Sequence, residues 1–354
     1  MISTIIVNYG TGHLLEDLCS RINREPYVQE IIVVDNMGDV PLELINRLSI
    51  KLIQNSINVG FAKAVNIGVK TATQPWLLLI NPDVIPLPNS ITQLFNSAKD
   101  FDAALAGPRF FWDDQKIFRL PPATGYSLCH NLIQSSNLLD SSPWEQEQLS
   151  FEWAIRHDRF WGAQKPFWEP FLSGACLLIN KKHFPPDIFD DRFFLYYEDV
   201  DLCIYARNKE LLTLCIPESE MIHYWSQSPN PQTPKHQLMV ESEKLFMEKH
   251  YSNLISLNVS TTPSKKPTLP KIMVLQPKTA IPTFSIPETN RLSAYFEIAT
   301  SPLFIPFAQT AVLSNSTFSL PINIWNKLPK GTYFSRVRTE AGYTIGQIWQ
   351  WSKP

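Results

Sequence analysis

Apolar and polar positions alternate along the first 250 residues with a recurring rhythm. Residues 3–8 and 30–35 are short β-branched runs, and between them Leu14, Leu15, Leu18 and Ile22 fall at helical spacing behind a Thr11-Gly12 turn. This predicts a β-α-β opening. The same reading gives a strand over 50–54, a helix over 60–71, a strand over 76–80, a helix over 90–99 and a strand over 103–106. Strands alternating with helices of this length predict an α/β fold, a mostly parallel sheet with helices on both faces. Ligands of such sheets gather at the carboxyl ends of the strands.

From Pro108 to Pro170 the rhythm lapses, and Trp112, Trp144, Trp153, Trp161 and Trp168 stand among polar residues without clear period. This segment reads as a long excursion over the sheet. Regularity resumes with an apolar run over 171–179, a helix over 199–209, a strand over 211–216 and an acidic helical stretch over 241–250. A linker over 256–270, rich in Ser, Thr, Pro and Lys, separates a first domain, 1–255, from a last one, 271–354. The short runs 292–299, 318–322 and 333–338, split by Pro and Gly, predict a small all-β, sandwich-like domain there. Trp325, Tyr333, Trp349 and Trp351 read as its core or as a surface on which sugars stack.

Composition narrows the classes. With 44% hydrophobic and 18% charged residues and a formal net charge of -2, the chain suits neither disorder nor a polyanion-binding surface, so no nucleic-acid partner is expected. Its N-terminus enters an apolar run at once, without the basic region of a secretory signal. No stretch approaches the roughly 20 apolar residues of a membrane span. The expectation is a soluble, cytoplasmic protein, with peripheral attachment at the inner face of a membrane left open, as is the oligomeric state. Five scattered cysteines, an odd number flanked by apolar residues, read as buried reduced thiols.

Candidate chemistry stands at strand ends. Asp35 closes the second apolar run, where its carboxylate suits a nucleobase imide, a ribose hydroxyl or simply a turn. The glycines of 58–68, including Gly60, mark a helix start facing a phosphate or ribose. Asn81-Pro82-Asp83 follows a buried strand and offers oxygen ligands for Mg²⁺ or Mn²⁺, or a plain turn. Glu198, Asp199 and Asp201 put three carboxylates within four positions behind a run of aromatics. Mutual repulsion beside an apolar wall would raise at least one pKa and make a general base, while the first turn of a helix would also welcome them. His223, 24 residues past Asp199, reads as a packed core residue or, with Asp83, a metal ligand.

Taken together, seven segments resemble the family 2 glycosyltransferases of the GT-A fold, particularly the rhamnosyltransferase-like members. They are Ile5-Ile6-Val7-Asn8-Tyr9, Val33-Val34-Asp35-Asn36, the run from Asn58 to Gly68, Asn81-Pro82-Asp83, Ser173-Gly174-Ala175, the run from Phe193 to Leu202, and His223. The resemblance implies a nucleotide-diphospho-sugar transferase fold over about residues 1–250. It further implies that Asn8, Tyr9, Asp35, Asn58, Gly60, Phe61, Asn66, Asn81 and Asp83 bind a dTDP- or UDP-linked sugar donor. Asp83 and His223 would hold Mg²⁺ or Mn²⁺, although Asn81 stands where the fullest metal motif has Asp. Asp199 would be the catalytic base, with Glu198 beside it, and Gly174, Ala175 and Trp168 would meet a saccharide or lipid-linked saccharide acceptor. The implied reaction is inverting sugar transfer to a hydroxyl in polysaccharide or glycolipid synthesis. Two other readings compete: a silent sugar- or nucleotide-binding protein, and a sugar nucleotidyltransferase. The latter would want a basic glycine-rich loop after the first strand, and residues 8–13 contain no Lys or Arg.

Overall fold

The structure is a computed structural model. It describes residues 1–124, 143–224, 227–229, 233–252, 272–275, 280–286, 294–310, 313, 316–340, 342 and 344–354. The expected linker over 256–270 lies outside them, as does Cys129. The chain forms two compact units, Met1–Arg109 with Ala163–Leu257, and Phe110–Gly162 with Asn258–Pro354.

In the first unit the sheet runs in the order Leu105–Phe111, Cys176–Asn180, Trp76–Ile80, Ile2–Asn8, Val28–Asp35, Lys51–Gln54. Ile2–Asn8 pairs in parallel with both its neighbours, and Val28–Asp35 pairs in parallel with Lys51–Gln54. The central strands are largely apolar because both faces are covered, and Trp76–Ile80 is buried at every position, whereas the edge strand Lys51–Gln54 has exposed ends. The helix Phe61–Thr71 packs so closely on this sheet that a Cβ at Gly68 would meet the Ile5 side chain at 2.7 Å.

The sheet is mixed rather than mostly parallel. Cys176–Asn180 runs antiparallel to both Trp76–Ile80 and Leu105–Phe111, because the chain enters it from the rim where the parallel strands end. That reversal brings 173–175 beside Asn81, whose N–H donates to the Ala175 carbonyl at 2.8 Å. The strand Thr213–His223 extends seven residues beyond its expected end at 216 and pairs with Val84–Pro86, so that His223 lies opposite Val84.

The second unit differs more from expectation. Its larger sheet orders Ile272–Val274, Thr344–Lys353, Gly331–Thr339, Ala294–Ala299, Ala308–Thr310 and Phe118–Arg119. A two-stranded sheet, Thr283–Ser285 with Thr317–Ser319, supplies Phe284 and Phe318 against Phe296 and Phe118. The unit is not all-β. It includes the 20-residue helix Pro143–Gly162, and residues 110–124 of the tryptophan-rich segment expected to cross the α/β sheet belong to it, with Trp112, Phe118 and Leu120 in its core. The helix escaped notice because its buried positions Ala154, His157 and Trp161 fall at i, i+3, i+7 but mix small, ionisable and aromatic types. Trp325, Tyr333, Trp349 and Trp351 are buried, with Tyr333 stacked on Trp351 at 4.8 Å, so they are core rather than an open stacking face.

Cys19, Cys176, Cys203 and Cys215 are buried free thiols. Among the described residues no helix is long and apolar enough to cross a membrane.

Candidate active site

A cavity of about 300 Å³ opens in the first unit where the parallel strands end. Its wall takes Val7 and Tyr9 from the end of the first strand, Asn36 from the second, and Asn81, Pro82 and Asp83 from the Trp76–Ile80 strand. Ser173, Gly174 and Ala175, Glu198 and Asp199, and His223 complete the acidic side. Residues more than a hundred positions apart are thus gathered at one rim.

The Asn58–Phe61 wall depends on Gly60. Its φ of +87° is left-handed, and a Cβ there would lie 2.7 Å from the Phe194 carbonyl oxygen. The close approach lets the Phe61 N–H donate to that oxygen at 2.7 Å. On the facing loop Tyr196 and Tyr197 both hold positive φ, +72° and +69°, a conformation costing on the order of 1–3 kcal/mol for a bulky residue. The helix Lys235–Tyr251 sustains it: Ser242 donates to the Leu195 carbonyl at 2.8 Å, and the Tyr197 ring packs on Phe246. Lys249 bridges Asp190 and Asp201, and His250 meets Asp201 at 2.7 Å, so the loop is tied at both ends.

That loop delivers Glu198 and Asp199 as the first residues of the Glu198–Asn208 helix. Asp199 accepts the Gly174 N–H through one oxygen and the Val200 N–H through the other, each at 2.8 Å. Position 174 must stay small, since a Cβ there would press on the Asp199 Cβ at 3.2 Å. Burial pushes the Asp199 pKa up, while the two backbone N–H groups favour its charged form. Glu198, only 6% exposed, has an Oε2 with no hydrogen-bond partner. Burial first, and the Asp199 charge second, push its pKa up to about 8. Two N–H donors favour charge on Asp199 while Glu198 Oε2 meets none, so of these adjacent carboxyls Glu198 is the one favoured to hold a proton.

Across the cavity Asp83 lies 3.5 Å from His223 Nε2. Burial opposes its charge, but the His223 imidazole and the Gln227 N–H outweigh burial and lower its pKa. Among the described residues no third His, Cys, Asp or Glu joins the pair. A carboxylate oxygen and an imidazole facing one cavity, with room for substrate oxygens, fit Mg²⁺ or Mn²⁺.

Several expected residues stand elsewhere. Asn8 and Asp35 are buried behind the wall, where Asp35 Oδ1 accepts from Asn8, Met37 N–H and Gly38 N–H at 3.0–3.1 Å. Asn66 is buried, its amide clamping both backbone groups of Phe189 at 2.8 and 3.1 Å. Trp168, 51% exposed, pairs with Leu214 on the strand Phe167–Trp168 and is not among the cavity's residues. Sequence reasoning missed Asn36, Ser173, Tyr196, Ser228, Pro229 and Lys235. Only Lys235 left a legible signal, a cation opening a helix where the dipole favours anions.

The model of the family described as Glycosyl transferase family 2 matches residues 3–184, just over half of the chain and most of this wall. The chain belongs to glycosyl transferase family 2. As a family 2 enzyme it is an inverting nucleotide-sugar glycosyltransferase. It is 26% identical over 256 residues to the N-acetylglucosaminyl-diphospho-decaprenol L-rhamnosyltransferase of Mycobacterium tuberculosis, covering 67% of this chain and 80% of that one. To the rhamnosyltransferase WbbL of Escherichia coli it is 22% identical, over 63% of this chain and 83% of the relative. Among solved structures it matches the mannosyltransferase PcManGT from Pyrobaculum calidifontis, in complex with GDP-Man and Mn²⁺. There the identity is 13% and the TM-score 0.42, covering 64% of this chain and 57% of that one.

Proposed function

We propose that this family 2 glycosyltransferase moves a hexose of the rhamnose type from a dTDP- or UDP-linked donor onto a hydroxyl of a lipid-linked saccharide, in the building of a cell-surface polysaccharide or glycolipid. One observation carries the reading: Asp199 and the Asp83–His223 pair, far apart in sequence, face the same cavity.

Asp199, held by two N–H donors at 2.8 Å, takes the proton from the acceptor oxygen as that oxygen bonds to the anomeric carbon. The bond from that carbon to the diphosphate breaks on the opposite side, its electron pair leaving with the diphosphate, and the centre inverts. Glu198, protonated beside Asp199, keeps a second negative charge away from the base and can donate to a substrate oxygen. Asp83 and His223 would hold Mg²⁺ or Mn²⁺, which when bound neutralises charge on the diphosphate. Tyr9, Asn36, Asn58, Gly60 and Phe61 form the donor wall. Asn8 and Asp35 support that wall from behind through their buried hydrogen bonds, and Asn66 holds Phe189, which leads into the loop carrying Glu198 and Asp199. Gly174 and Ala175 line the acceptor side beside Asp199. Trp168, off the cavity, would meet only the distant part of a long acceptor. A lipid-linked acceptor puts the reaction at the cytoplasmic face of a membrane, with the enzyme attached peripherally.

The test is a panel of dTDP- and UDP-sugars with a lipid-linked saccharide acceptor, reading nucleoside diphosphate release with Mn²⁺ and with chelator. The reading expects release with one donor class and its loss on chelation. Release from no donor, or release indifferent to chelation, contradicts it.

A further inference from the structure

Besides the carboxyl groups of Asp83, Glu198 and Asp199, the cavity holds one ammonium. Lys235, the first residue of its helix, lines the wall together with Ser228 and Pro229. Its Nζ donates to the Ser228 carbonyl at 2.7 Å and makes no ion pair with a carboxylate among the described residues. The neighbouring chain is fixed to the site from both sides: Gln227 N–H approaches Asp83 at 3.5 Å, and Pro229 packs against Gly10. The ammonium is therefore held in place rather than trailing in solvent.

Two features argue that this placement serves a ligand. A lysine at the start of a 17-residue helix sits at the positive end of the helix dipole, where a cation is disfavoured. Partial burial also weighs against its charge, and outweighs the attraction of the Asp83 carboxylate. A dissatisfied cation is relieved by an anion, and the cavity's own anions are otherwise engaged: Asp83 with His223, Asp199 with two backbone N–H groups. Nor is the cavity complete without a ligand, since the nine-tenths buried Glu198 has an Oε2 with no hydrogen-bond partner.

We infer that Lys235 binds the diphosphate of the donor and neutralises the charge that collects on it as the sugar departs. The inference rests on the nucleotide-sugar reading of the cavity. In the displacement the anomeric C–O bond breaks, its electron pair passes to the diphosphate oxygen, and the Lys235 ammonium stabilises that oxygen without transferring a proton. Charge stabilisation of this kind is worth about 10²–10³-fold in kcat where a single preorganised donor has been removed. Because Lys235 reaches the diphosphate and not the base, it governs the preference for a nucleoside diphosphate over the bare nucleoside.

Calorimetric titration of the full chain with UDP, dTDP, uridine and thymidine, in chelator so that no divalent cation contributes, isolates this role. The wild-type protein is expected to bind its diphosphate at least ~10-fold more tightly than the nucleoside, as a desolvated ion pair of 1.4 kcal/mol or more requires. Lys235→Met should abolish that preference with nucleoside affinity intact, the latter showing that the variant is folded, and Lys235→Arg should restore most of it. With Mn²⁺ and donor present, kcat of Lys235→Met should fall by about 10²-fold or more. A Lys235→Met variant that keeps the wild-type preference overturns the inference and leaves the nucleotide-sugar reading standing. A wild-type protein that binds no diphosphate, with or without Mn²⁺, overturns both.

Discussion

Glu297 in the second unit and Glu198 in the first are both carboxyl side chains taken almost wholly out of water, yet their surroundings differ in kind. Glu297 meets the Arg338 guanidinium through one oxygen and that of Arg336, at 2.7 Å, through the other. Arg338 continues to Asp158 at 3.0 Å and Gln309 at 2.7 Å, so each charge has an opposite charge beside it, although Arg336 Nη2 has no hydrogen-bond partner. Glu198 has Asp199, another acid, as its neighbour, and one of its oxygens has no partner. Buried charges that are matched inside the protein hold a fold together; a buried acid left unmatched is held ready for something that arrives. The same contrast separates Lys235 from Arg338, one cation opening onto a cavity and the other sealed between carboxylates.

Breaking the matched side should have the largest effect on stability. Glu297→Ala leaves two guanidinium groups buried without their carboxylate and is expected to cost about 3–5 kcal/mol in urea unfolding. A loss well under that range would mean the network is weaker than its geometry.

On the unmatched side the sign reverses. The folded-state pKa of Glu198, about 8, lies above its unfolded value of 4.5, so the folded chain keeps a proton that the unfolded chain releases across that window. Its contribution is full below pH 4.5 and is lost as pH rises towards 8, with a slope approaching about 1.4 kcal/mol per pH unit. Glu198→Gln removes the titration. The variant's stability relative to wild type should therefore climb from pH 5 to pH 8, as read from denaturation midpoints. A pH-independent difference would contradict the protonated assignment.

Smaller effects sharpen the boundary of the site. Asn66→Ala frees both backbone groups of Phe189 and should cost about 1–3 kcal/mol through two unsatisfied buried groups. It should also weaken donor binding, because Phe189 leads into the loop carrying Glu198 and Asp199. Trp168→Ala, on a half-exposed side chain off the cavity, should leave stability within about 0.5 kcal/mol and short-acceptor kinetics unchanged. A large loss of transfer in that variant would extend the acceptor site to Trp168.

The α/β unit was legible in the sequence because its chemistry sits at strand ends, where an apolar run stops abruptly at Asp35, Asn81 or Asp83. Strand Trp76–Ile80 falls on its expected limits for that reason. The direction of Cys176–Asn180 was not legible, since an apolar run reads alike in either sense, and a mixed sheet resulted where a mostly parallel one was expected. The second unit resisted more because its core joins Phe118 to Phe296 and Phe318 across nearly two hundred residues, and local periodicity does not register such pairing. Of the site, Asp83, His223, Glu198 and Asp199 were readable as types that bind or transfer protons. The backbone N–H groups that hold Asp199, and Ser228 and Pro229 on the opposite wall, carry no signal of type. Lys235 carried one only as a local misfit.

The most direct measurement compares Asp199→Asn with the wild-type protein for both donor binding and transfer. The amide keeps the shape of the side chain but cannot take a proton, so the account predicts unchanged donor affinity and a transfer rate lower by about 10²–10⁴-fold. Transfer at the wild-type rate, with donor still bound, would contradict it.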